Sequence, residues 1–273
     1  MPGVKEYYRP GSLDEALTLM RRSGVLPLAG GQHVIAAQRR DVQAFVDLQA
    51  LGLDGLTVEA GRLNIGAMVR LQQLVESTQV DSLLAEAAQR EGPLTYRCAA
   101  TVGGTIVTHD PLSYLLLSLL VLDAQVTVQR VGGSRTISLD EMLDDPGSAL
   151  GGGLITGVST PAGTAGSAIA SVARTPRDRP IVAAVVRLTR RGDACGEVRI
   201  ALGGVADRPI CARQAETRLT GRRFDEQFAG EVASQIAAGL QPPADFRGSA
   251  AYRREMAAVL VRRALVEAWS KPE

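Results

Sequence analysis

Two pairs of adjacent glycines constrain the fold of this chain more than any other feature of its sequence. One pair lies in Ala29-Gly30-Gly31-Gln32-His33 and the other in Thr101-Val102-Gly103-Gly104-Thr105. Paired glycines allow positive φ, and they let a ligand approach the main chain without a Cβ in the way. Because consecutive N–H groups in such a turn can converge on an anion, each segment is a candidate phosphate-binding loop.

Glycine pairs also mark ordinary turns, so each segment taken alone has two interpretations. Neither contains the G-x-G-x-x-G spacing of a Rossmann dinucleotide site or the G-x-x-x-x-G-K-[ST] spacing of a P-loop. Together they support a sharper hypothesis, in which the two turns embrace one diphosphate from opposite sides. That hypothesis requires the two glycine pairs to lie close together in the folded chain.

Composition excludes several classes of function. Of the 273 residues, 45% are hydrophobic and 22% are charged, which permits a buried core. The formal net charge of +1 provides no field that would attract nucleic acid, and the opening residues lack the apolar segment of a signal peptide. The most apolar stretch, residues 112–128, is too short and polar to span a bilayer and predicts a buried helix followed by a strand. We therefore expect a cytoplasmic protein with no nucleic-acid partner and no membrane insertion.

Cysteine and histidine are too scarce for the common metal centres. The three cysteines, Cys98, Cys195 and Cys211, cannot supply four thiolates to an iron–sulfur cluster. The two histidines, His33 and His109, exclude a three-histidine zinc site. We predict no metal ligands in this chain.

Hydrophobic periodicity predicts interleaved strands and helices as far as residue 161, a linker at residues 162–166, and then a small sheet followed by helices. Residues 147–153 and both glycine segments are predicted to be loops. The predicted strands are 25–28, 45–48, a hairpin within 56–67, 125–130, 154–161, 181–189 and 198–204. The predicted helices are 12–24, 71–77, 82–90, 112–122, 139–143, 212–219, 225–240 and 249–269.

A series of segments in fixed order resembles the FAD-binding (medium) subunits of the xanthine dehydrogenase and carbon monoxide dehydrogenase family, which are molybdenum hydroxylases. The resemblance covers nearly the whole chain. The matching segments are Tyr8-Arg9-Pro10-Gly11-Ser12-Leu13-Asp14-Glu15-Ala16, Leu28-Ala29-Gly30-Gly31, Asp47-Leu48, Leu63-Asn64-Ile65-Gly66-Ala67, Ala100-Thr101-Val102-Gly103-Gly104-Thr105-Ile106, Asp110-Pro111, Leu122-Asp123-Ala124 and Arg247-Gly248-Ser249-Ala250-Ala251-Tyr252-Arg253-Arg254.

The resemblance implies an α+β fold. Residues 1–161 would form a two-subdomain FAD-binding domain of the vanillyl-alcohol oxidase (PCMH-like) type, with subdomains at about 1–52 and 53–161. Residues 166–273 would form a C-terminal domain similar to that of carbon monoxide dehydrogenase flavoproteins, an α/β lobe with a small antiparallel sheet and helices.

The same resemblance implies a set of FAD-binding residues and no catalytic residue. For His33 and His109, contact with the cofactor and capping of the loop backbone both stay open. The implied residues are Ala29, Gly30, Gly31, Gln32, His33 and Val34 on one side of the diphosphate, Thr101, Gly103, Gly104 and Thr105 on the other, His109 and Asp110 beyond the second loop, and Ile155 near the flavin or the adenosine.

The chain departs from the family's pattern in four places. Gln32-His33 follows the first glycine pair, where the family usually has Thr-Asp or His-Ser, and Thr105 follows the second, where it usually has Asn or Asp. Tyr114 stands where the family commonly has an aspartate that bonds the cofactor, and Ala170-Ser171 stands where it commonly has a lysine near the flavin. Arg174, Arg177 or Arg179 could supply the missing positive charge.

Membership of this family would imply electron transfer. FAD in this chain would take electrons from [2Fe–2S] clusters in a small partner subunit and pass them to an external acceptor, while a large molybdenum-cofactor subunit hydroxylates the substrate. The assembly would be a dimer of heterotrimers. Two alternatives are a flavin-depleted structural subunit, which Tyr114 and the missing lysine suggest, and a stand-alone FAD oxidoreductase.

Overall fold

The computed structural model describes residues 4–37, 41–175 and 178–271, which fold into interleaved strands and helices. The strands are β1 (Glu6–Tyr8), β2 (Val25–Leu28), β3 (Ala44–Asp47), β4 (Leu56–Glu59), β5 (Arg62–Gly66), β6 (Gln125–Arg130), β7 (Gly133–Ser138), β8 (Leu154–Pro161), β9 (Gly166–Val172), β10 (Val182–Arg191), β11 (Ala194–Gly203) and β12 (Ile210–Cys211). The helices are α1 (Leu13–Met20), α2 (Gln32–Ala36), α3 (Leu71–Glu76), α4 (Ser82–Arg90), α5 (Leu94–Arg97), α6 (Val102–Thr108), α7 (Tyr114–Val121), α8 (Leu139–Asp144), α9 (Pro146–Leu150), α10 (Arg213–Leu219), α11 (Glu226–Ala238) and α12 (Ala250–Ser270), with a 3₁₀ helix at Gln49–Leu51.

The chain forms two compact units that interleave along the sequence. The first contains the residues up to 80 together with 88–108 and 124–162, and the second contains 81–87, 109–123 and the residues from 163 onward. The second unit thus includes two segments, 81–87 and 109–123, that precede the predicted domain boundary. The boundary at residues 161–166 stays a prediction.

The first unit contains a parallel sheet with the strand order β1-β3-β2. Helix α1 begins after Ser12, whose hydroxyl accepts a hydrogen bond from the N–H of Glu15. This N-cap satisfies one of the donors that a helix start leaves open. The helix buries Ala16 and Leu17 in a core that also includes Val46 of the central strand. Because the strands are parallel, their carboxyl ends lie at the same edge of the sheet. Helix α1 packs on this sheet and stabilises it.

An antiparallel sheet with the strand order β4-β5-β8-β6-β7 completes the first unit. Its first hairpin turns at Ala60 and Gly61, where φ is 49° and 73°, as the sequence predicts. In β5 the buried Leu63 and Ile65 alternate with the half-buried Asn64. This alternation is expected of a strand with one face on the core.

The second unit is built on an antiparallel sheet with the order β12-β11-β10-β9. Helices α7 and α12 pack on β10, and α11 packs on α12. Every residue of α7 is buried, as predicted for the apolar stretch from residue 112. The α+β class and the small antiparallel sheet with helices are confirmed.

Two predicted loops are wrong. Residues 147–153 were expected to be irregular, but Pro146–Leu150 form α9, with Pro146 in the first turn and the Asp145 carboxylate accepting from the N–H of Ser148. Proline at the first helical position and aspartate at the N-cap both favour a helix start. The second glycine segment is also helical, from Val102 onward.

Candidate cofactor-binding site

The first glycine turn lies at the carboxyl end of a parallel strand. Strand β2 ends at Leu28, Ala29-Gly30-Gly31 follow, and α2 begins at Gln32. Gly31 adopts φ 74°, a left-handed conformation that favours glycine. Ligands of open parallel sheets commonly bind beyond the carboxyl ends of the strands.

The backbone amides of this turn are available to a ligand. The N–H of Ile35 donates to the carbonyl of Gly31 at 2.9 Å, which closes the first helical bond. The described residues supply no acceptor for the four N–H groups from Gly31 to Val34. Gln32 and His33 are exposed, and Val34 is half-buried. The turn can therefore offer several N–H groups to one anion.

The second glycine segment is held by its threonines. Thr101 is 2% exposed, and its Oγ accepts from the N–H of Gly104 at 3.2 Å. The hydroxyl of the buried Thr105 donates to the carbonyl of Thr101 at 3.0 Å. Thr101 thus caps the helix that the sequence pattern missed.

Further anchors come from residues 67–69. The N–H of Val102 donates to the carbonyl of Val69 at 3.0 Å, and the N–H of Gly103 donates to the carbonyl of Ala67 at 2.8 Å. The N–H groups of residues 102–105 are therefore already used within the protein. The two glycine segments, which look alike in sequence, differ in what they can offer a ligand.

The two segments adjoin each other in the first unit. A Cβ built on Gly30 would lie 1.8 Å from the carbonyl oxygen of Ala99 and 3.2 Å from the Cα of Ala100. Ala99 and Ala100 directly precede Thr101, where the second segment begins. The proximity that a shared diphosphate requires is therefore present.

The glycines of the second segment have different environments. Gly103 is buried, and a Cβ there would lie 2.8 Å from the Cβ of Ala67. Gly104 is half-buried, and a Cβ there would meet the Thr101 hydroxyl at 2.9 Å and no other atom within 4 Å. Gly103 thus permits close packing, whereas Gly104 leaves open backbone surface. A cradle of this kind, which side chains would fill, fits a bulky phosphate-bearing cofactor.

Ile155 lies in β8 next to Thr156, which is linked to the second glycine segment by backbone hydrogen bonds through Ala67. Its side chain is 5% exposed, and it pairs with Val128 across the sheet. The adjacent carbonyl of Thr156 accepts from the N–H of Ala67 at 3.0 Å, and the carbonyl of Ala67 accepts from Gly103. Ile155 therefore lies on a strand that braces the second turn.

His109 and Asp110 belong to the second unit. His109 is exposed and has φ 39°, a strained conformation for a residue with a side chain. One carboxylate oxygen of Asp110 accepts from the N–H of Leu112 at 3.0 Å, and the other pairs with Arg179. The contacts of Asp110 are thus made within the second unit, and the predicted contacts of His109 and Asp110 with the cofactor stay predictions.

Two of the departures from the family's pattern, Tyr114 and Ser171, contact each other. The hydroxyl of Tyr114 donates to the hydroxyl of Ser171 at 3.0 Å in the second unit. Of the arginines considered as substitutes for the lysine, Arg179 pairs with Asp110, Arg174 is exposed, and Arg177 lies outside the described residues.

Sequence reasoning missed Arg70. Its guanidinium donates to the carbonyls of Cys98 at 2.8 Å and Ala99 at 3.3 Å, next to the contact between the two turns. Because these partners lie 28 and 29 residues away in the chain, no local pattern indicates the contact.

Two adjoining glycine segments, one with open amides and one with bare backbone, fit a diphosphate-bearing cofactor. Within the described residues, no group of histidine, cysteine and acidic side chains could hold a metal ion. The described helices include none with the length and apolar character needed to traverse a bilayer.

Comparison with known proteins identifies the family. Residues 3–163 match the FAD binding domain in molybdopterin dehydrogenase, and residues 167–268 match the CO dehydrogenase flavoprotein C-terminal domain. The chain belongs to this family of FAD-binding medium subunits of molybdenum hydroxylases.

Relatives match over their whole length. The glyceraldehyde dehydrogenase medium chain of Sulfolobus acidocaldarius is 28% identical, over 97% of this chain and 99% of its own. The carbon monoxide dehydrogenase medium chain of Afipia carboxidovorans is 28% identical, over 98% of each. In the solved carbon monoxide dehydrogenase of Hydrogenophaga pseudoflava, a chain superposes with a TM-score of 0.90 at 28% identity, covering 99% of both chains.

Proposed function

We propose that this chain holds the diphosphate of FAD at its two adjoining glycine turns and serves as the electron-transfer subunit of a molybdenum hydroxylase. The observation that carries the proposal is the packing of Gly30 on the carbonyl of Ala99, which places both turns together. Bound FAD supplies the redox chemistry by accepting and releasing electrons.

The residues of the chain bind and orient the cofactor. The N–H groups from Gly31 to Val34 donate to the diphosphate, since they have no acceptor among the described residues. Ala29 and Gly30 shape the entry to this turn, and the exposed Gln32 and His33 flank it. This unequal division between the turns refines the expectation that both contribute amides.

On the other side, Gly104 allows close approach of the cofactor, while Thr101 and Gly103 hold the turn in place. Thr105 fixes the same helix from its buried side. We keep Ile155, His109 and Asp110 as further candidates for contact with the cofactor.

The assembly is inferred from the relatives, which are medium chains or subunits of dehydrogenases and hydroxylases. We propose a large molybdenum-cofactor subunit and a small [2Fe–2S] subunit as partners, in a dimer of heterotrimers located in the cytoplasm. The relatives are named for different substrates, among them carbon monoxide and nicotine. We propose no substrate for this complex, because the molybdenum subunit would select it.

Purification of the chain from its native host tests the proposal. We expect two co-purifying subunits, FAD near one equivalent per chain, molybdenum, and iron at about four atoms per heterotrimer, as two [2Fe–2S] clusters require. A colourless chain with the partners bound would favour the flavin-depleted scaffold. A yellow chain that turns over a substrate without partners would favour the stand-alone oxidoreductase.

A further inference from the structure

The segment that joins the two glycine turns is held by one arginine side chain. Gly30 rests on Ala99, and Thr101 opens the second turn, so residues 98–101 support both. Arg70 donates to the carbonyls of Cys98 and Ala99 within this segment. The carbonyl oxygen of Ala99 is also the atom nearest to a Cβ built on Gly30.

We propose that Arg70 is a positioning residue for the FAD site, because its guanidinium holds residues 98–101 in the position that both turns require. The inference rests on the proposed function, since it assumes that the turns bind the cofactor diphosphate. Arg70 acts through the segment and is not proposed to contact FAD.

The main chain of Arg70 is itself fixed. Its N–H donates to the side-chain oxygen of Gln73 at 2.7 Å, and its carbonyl accepts from the N–H of Gln73 at 3.0 Å at the start of α3. Arg70 also pairs with Thr101 as an isolated antiparallel bridge. The guanidinium therefore extends from a rigid base toward its two carbonyl acceptors.

Backbone hydrogen bonds also link the same regions, and next to them the side chain of Arg97 donates to that of Gln72 at 2.9 Å. The N–H of Leu71 donates to the carbonyl of Ala100 at 3.0 Å, and the N–H of Val102 donates to Val69. These bonds persist in any variant of Arg70, so the unit should still fold. Because the N–H groups of Cys98 and Ala99 already donate to Leu94 and Tyr96, the guanidinium adds its restraint at the carbonyl groups of these two residues.

Arg130 provides a matched control in the same unit. Its half-buried guanidinium also donates to consecutive carbonyls, those of Ser148, Ala149 and Leu150, at 2.8, 2.5 and 3.1 Å. These carbonyls belong to α9 and not to either glycine turn. Loss of the Arg130 contacts should lower stability without altering the cradle.

The experiment titrates FAD into the deflavinated full-length chain for the wild type, Arg70→Met, Arg70→Lys and Arg130→Met. Kd is obtained from flavin fluorescence, the environment of bound FAD from visible circular dichroism, and Tm from thermal unfolding of the apo chain. We expect Arg70→Met to weaken FAD binding about tenfold, which corresponds to about 1.4 kcal/mol, and to change the flavin dichroism at saturation.

Arg70→Lys should recover part of the affinity, because both hydrogen bonds come from one nitrogen, Nη1, and lysine keeps a charged nitrogen with three donors but on a shorter side chain. Arg130→Met should keep the wild-type Kd and dichroism while lowering Tm. The inference is overturned by a wild-type Kd in Arg70→Met, or by an equal loss of affinity in Arg130→Met. Should Arg70→Met not fold, a wild-type Kd in Arg70→Lys overturns it and a weakened Kd supports it. Failure of the wild-type chain to bind FAD would overturn the proposed function instead.

Discussion

At the scale of single residues, glycines that look equivalent in the sequence have different roles. Gly30 and Gly103 permit close contact between backbone segments, and Gly104 leaves surface open. The distinction could not be read from the sequence, because it depends on which atoms the fold places beside each Cα.

Gly104→Ala is expected to separate cofactor binding from stability. The added methyl group would lie 2.9 Å from the Thr101 hydroxyl, so this buried side chain must shift and its bond to the N–H of residue 104 is weakened, whereas alanine favours the helix α6 by up to about 1 kcal/mol. Because these two effects oppose each other, the free energy of unfolding of the apo chain should change by less than about 1 kcal/mol, while FAD binding weakens at least about tenfold by steric exclusion. Urea unfolding and an FAD titration measure the two effects.

Two further variants control that comparison. Gly30→Ala should destabilise the apo chain by about 2–3 kcal/mol, because its methyl group overlaps the carbonyl of Ala99. Gly11→Ala should affect neither quantity, since a Cβ there has no neighbour within 4 Å. Tight FAD binding by Gly104→Ala would contradict the role given to Gly104.

At the scale of elements, α7 has one serine that caps its N-terminus and a second, buried serine whose hydroxyl has no hydrogen-bond partner in the described structure. The hydroxyl of Ser113 accepts from the N–H of Leu116 at 3.1 Å. Ser118 is fully buried, and its hydroxyl finds no hydrogen-bond partner in the described structure. An unsatisfied buried hydroxyl costs stability, whereas a satisfied cap contributes to it.

Opposite effects are therefore expected from the same substitution at these two serines. Ser118→Ala should raise the free energy of unfolding by about 1 kcal/mol, because the unpaired hydroxyl is removed. Ser113→Ala should lower it by about 1 kcal/mol, because the N-cap is lost. Urea unfolding of both variants measures the difference, and a destabilised Ser118→Ala would mean that the hydroxyl is satisfied in solution.

Helix α12 is tied to its sheet by the buried Arg253, which donates to the carbonyls of Ile181 and Gly204 and to the carboxylate of Asp245. The hydrogen bond from Arg253 holds the pKa of Asp245 well below its ordinary value. A carboxyl group with a lowered folded-state pKa stabilises the fold above its unfolded pKa, and this contribution is lost as pH falls through the folded pKa.

Asp245→Asn is consequently expected to lower the free energy of unfolding at pH 7. In acid, the free energy of unfolding of this variant should decrease less steeply than that of the wild type. The difference from the wild type should shrink below about pH 4, the ordinary aspartate value, because the unfolded wild-type chain then takes up a proton that the folded chain does not. Urea unfolding between pH 7 and pH 2 measures both curves. Asp193→Asn is the control, since Asp193 is 85% exposed and lies 3.8 Å from Arg223. Parallel curves for wild type and Asp245→Asn would contradict the assignment.

Most elements could be predicted where periodicity was clear, as in β2, β11 and the buried α7. The missed elements depend on long-range partners. Gly133–Ser138 and Gly166–Val172 are rich in small or polar residues and become strands by pairing with β6 and β10. The helix at Val102 depends on anchors from residues 67–69, which no local pattern reveals.

For the candidate site, the sequence located both glycine segments and predicted their proximity, but it did not indicate which residues make the contact. Their contact is made by Gly30 and Ala99, and Ala99 has no special character as a residue type. Arg70 was missed for the same reason. The residue types that bind phosphate can be recognised in a sequence, whereas the residues that hold the turns in place are defined only by the fold.

At the scale of the whole molecule, the second unit includes α7, which lies in the middle of the chain and precedes most of the unit in the sequence. The N–H of Gly204 donates to the carbonyl of Pro111 at 3.1 Å, and a Cβ on Gly203 would lie 2.5 Å from that same oxygen. Helix α7 also packs on β10 and β11. The residues from 163 onward therefore lack part of their own core.

A fragment of residues 163–273 is expected to be unstable, because its sheet would expose the apolar face that α7 covers. Circular dichroism and urea unfolding should show no cooperative transition for this fragment. Fusing residues 109–123 to it through a flexible glycine–serine linker should restore one. A cooperative transition in the bare fragment would show that α7 is dispensable.

The position of α7 in the chain also means that it is synthesised before the strands on which it packs. Helix α7 ends at Val121 and β10 begins at Val182, so 60 residues separate them. At about 5–20 residues per second, the helix leaves the ribosome roughly 3–12 s before the strand on which it packs. For that interval the most apolar segment of the nascent chain lacks the strands that cover it in the folded unit.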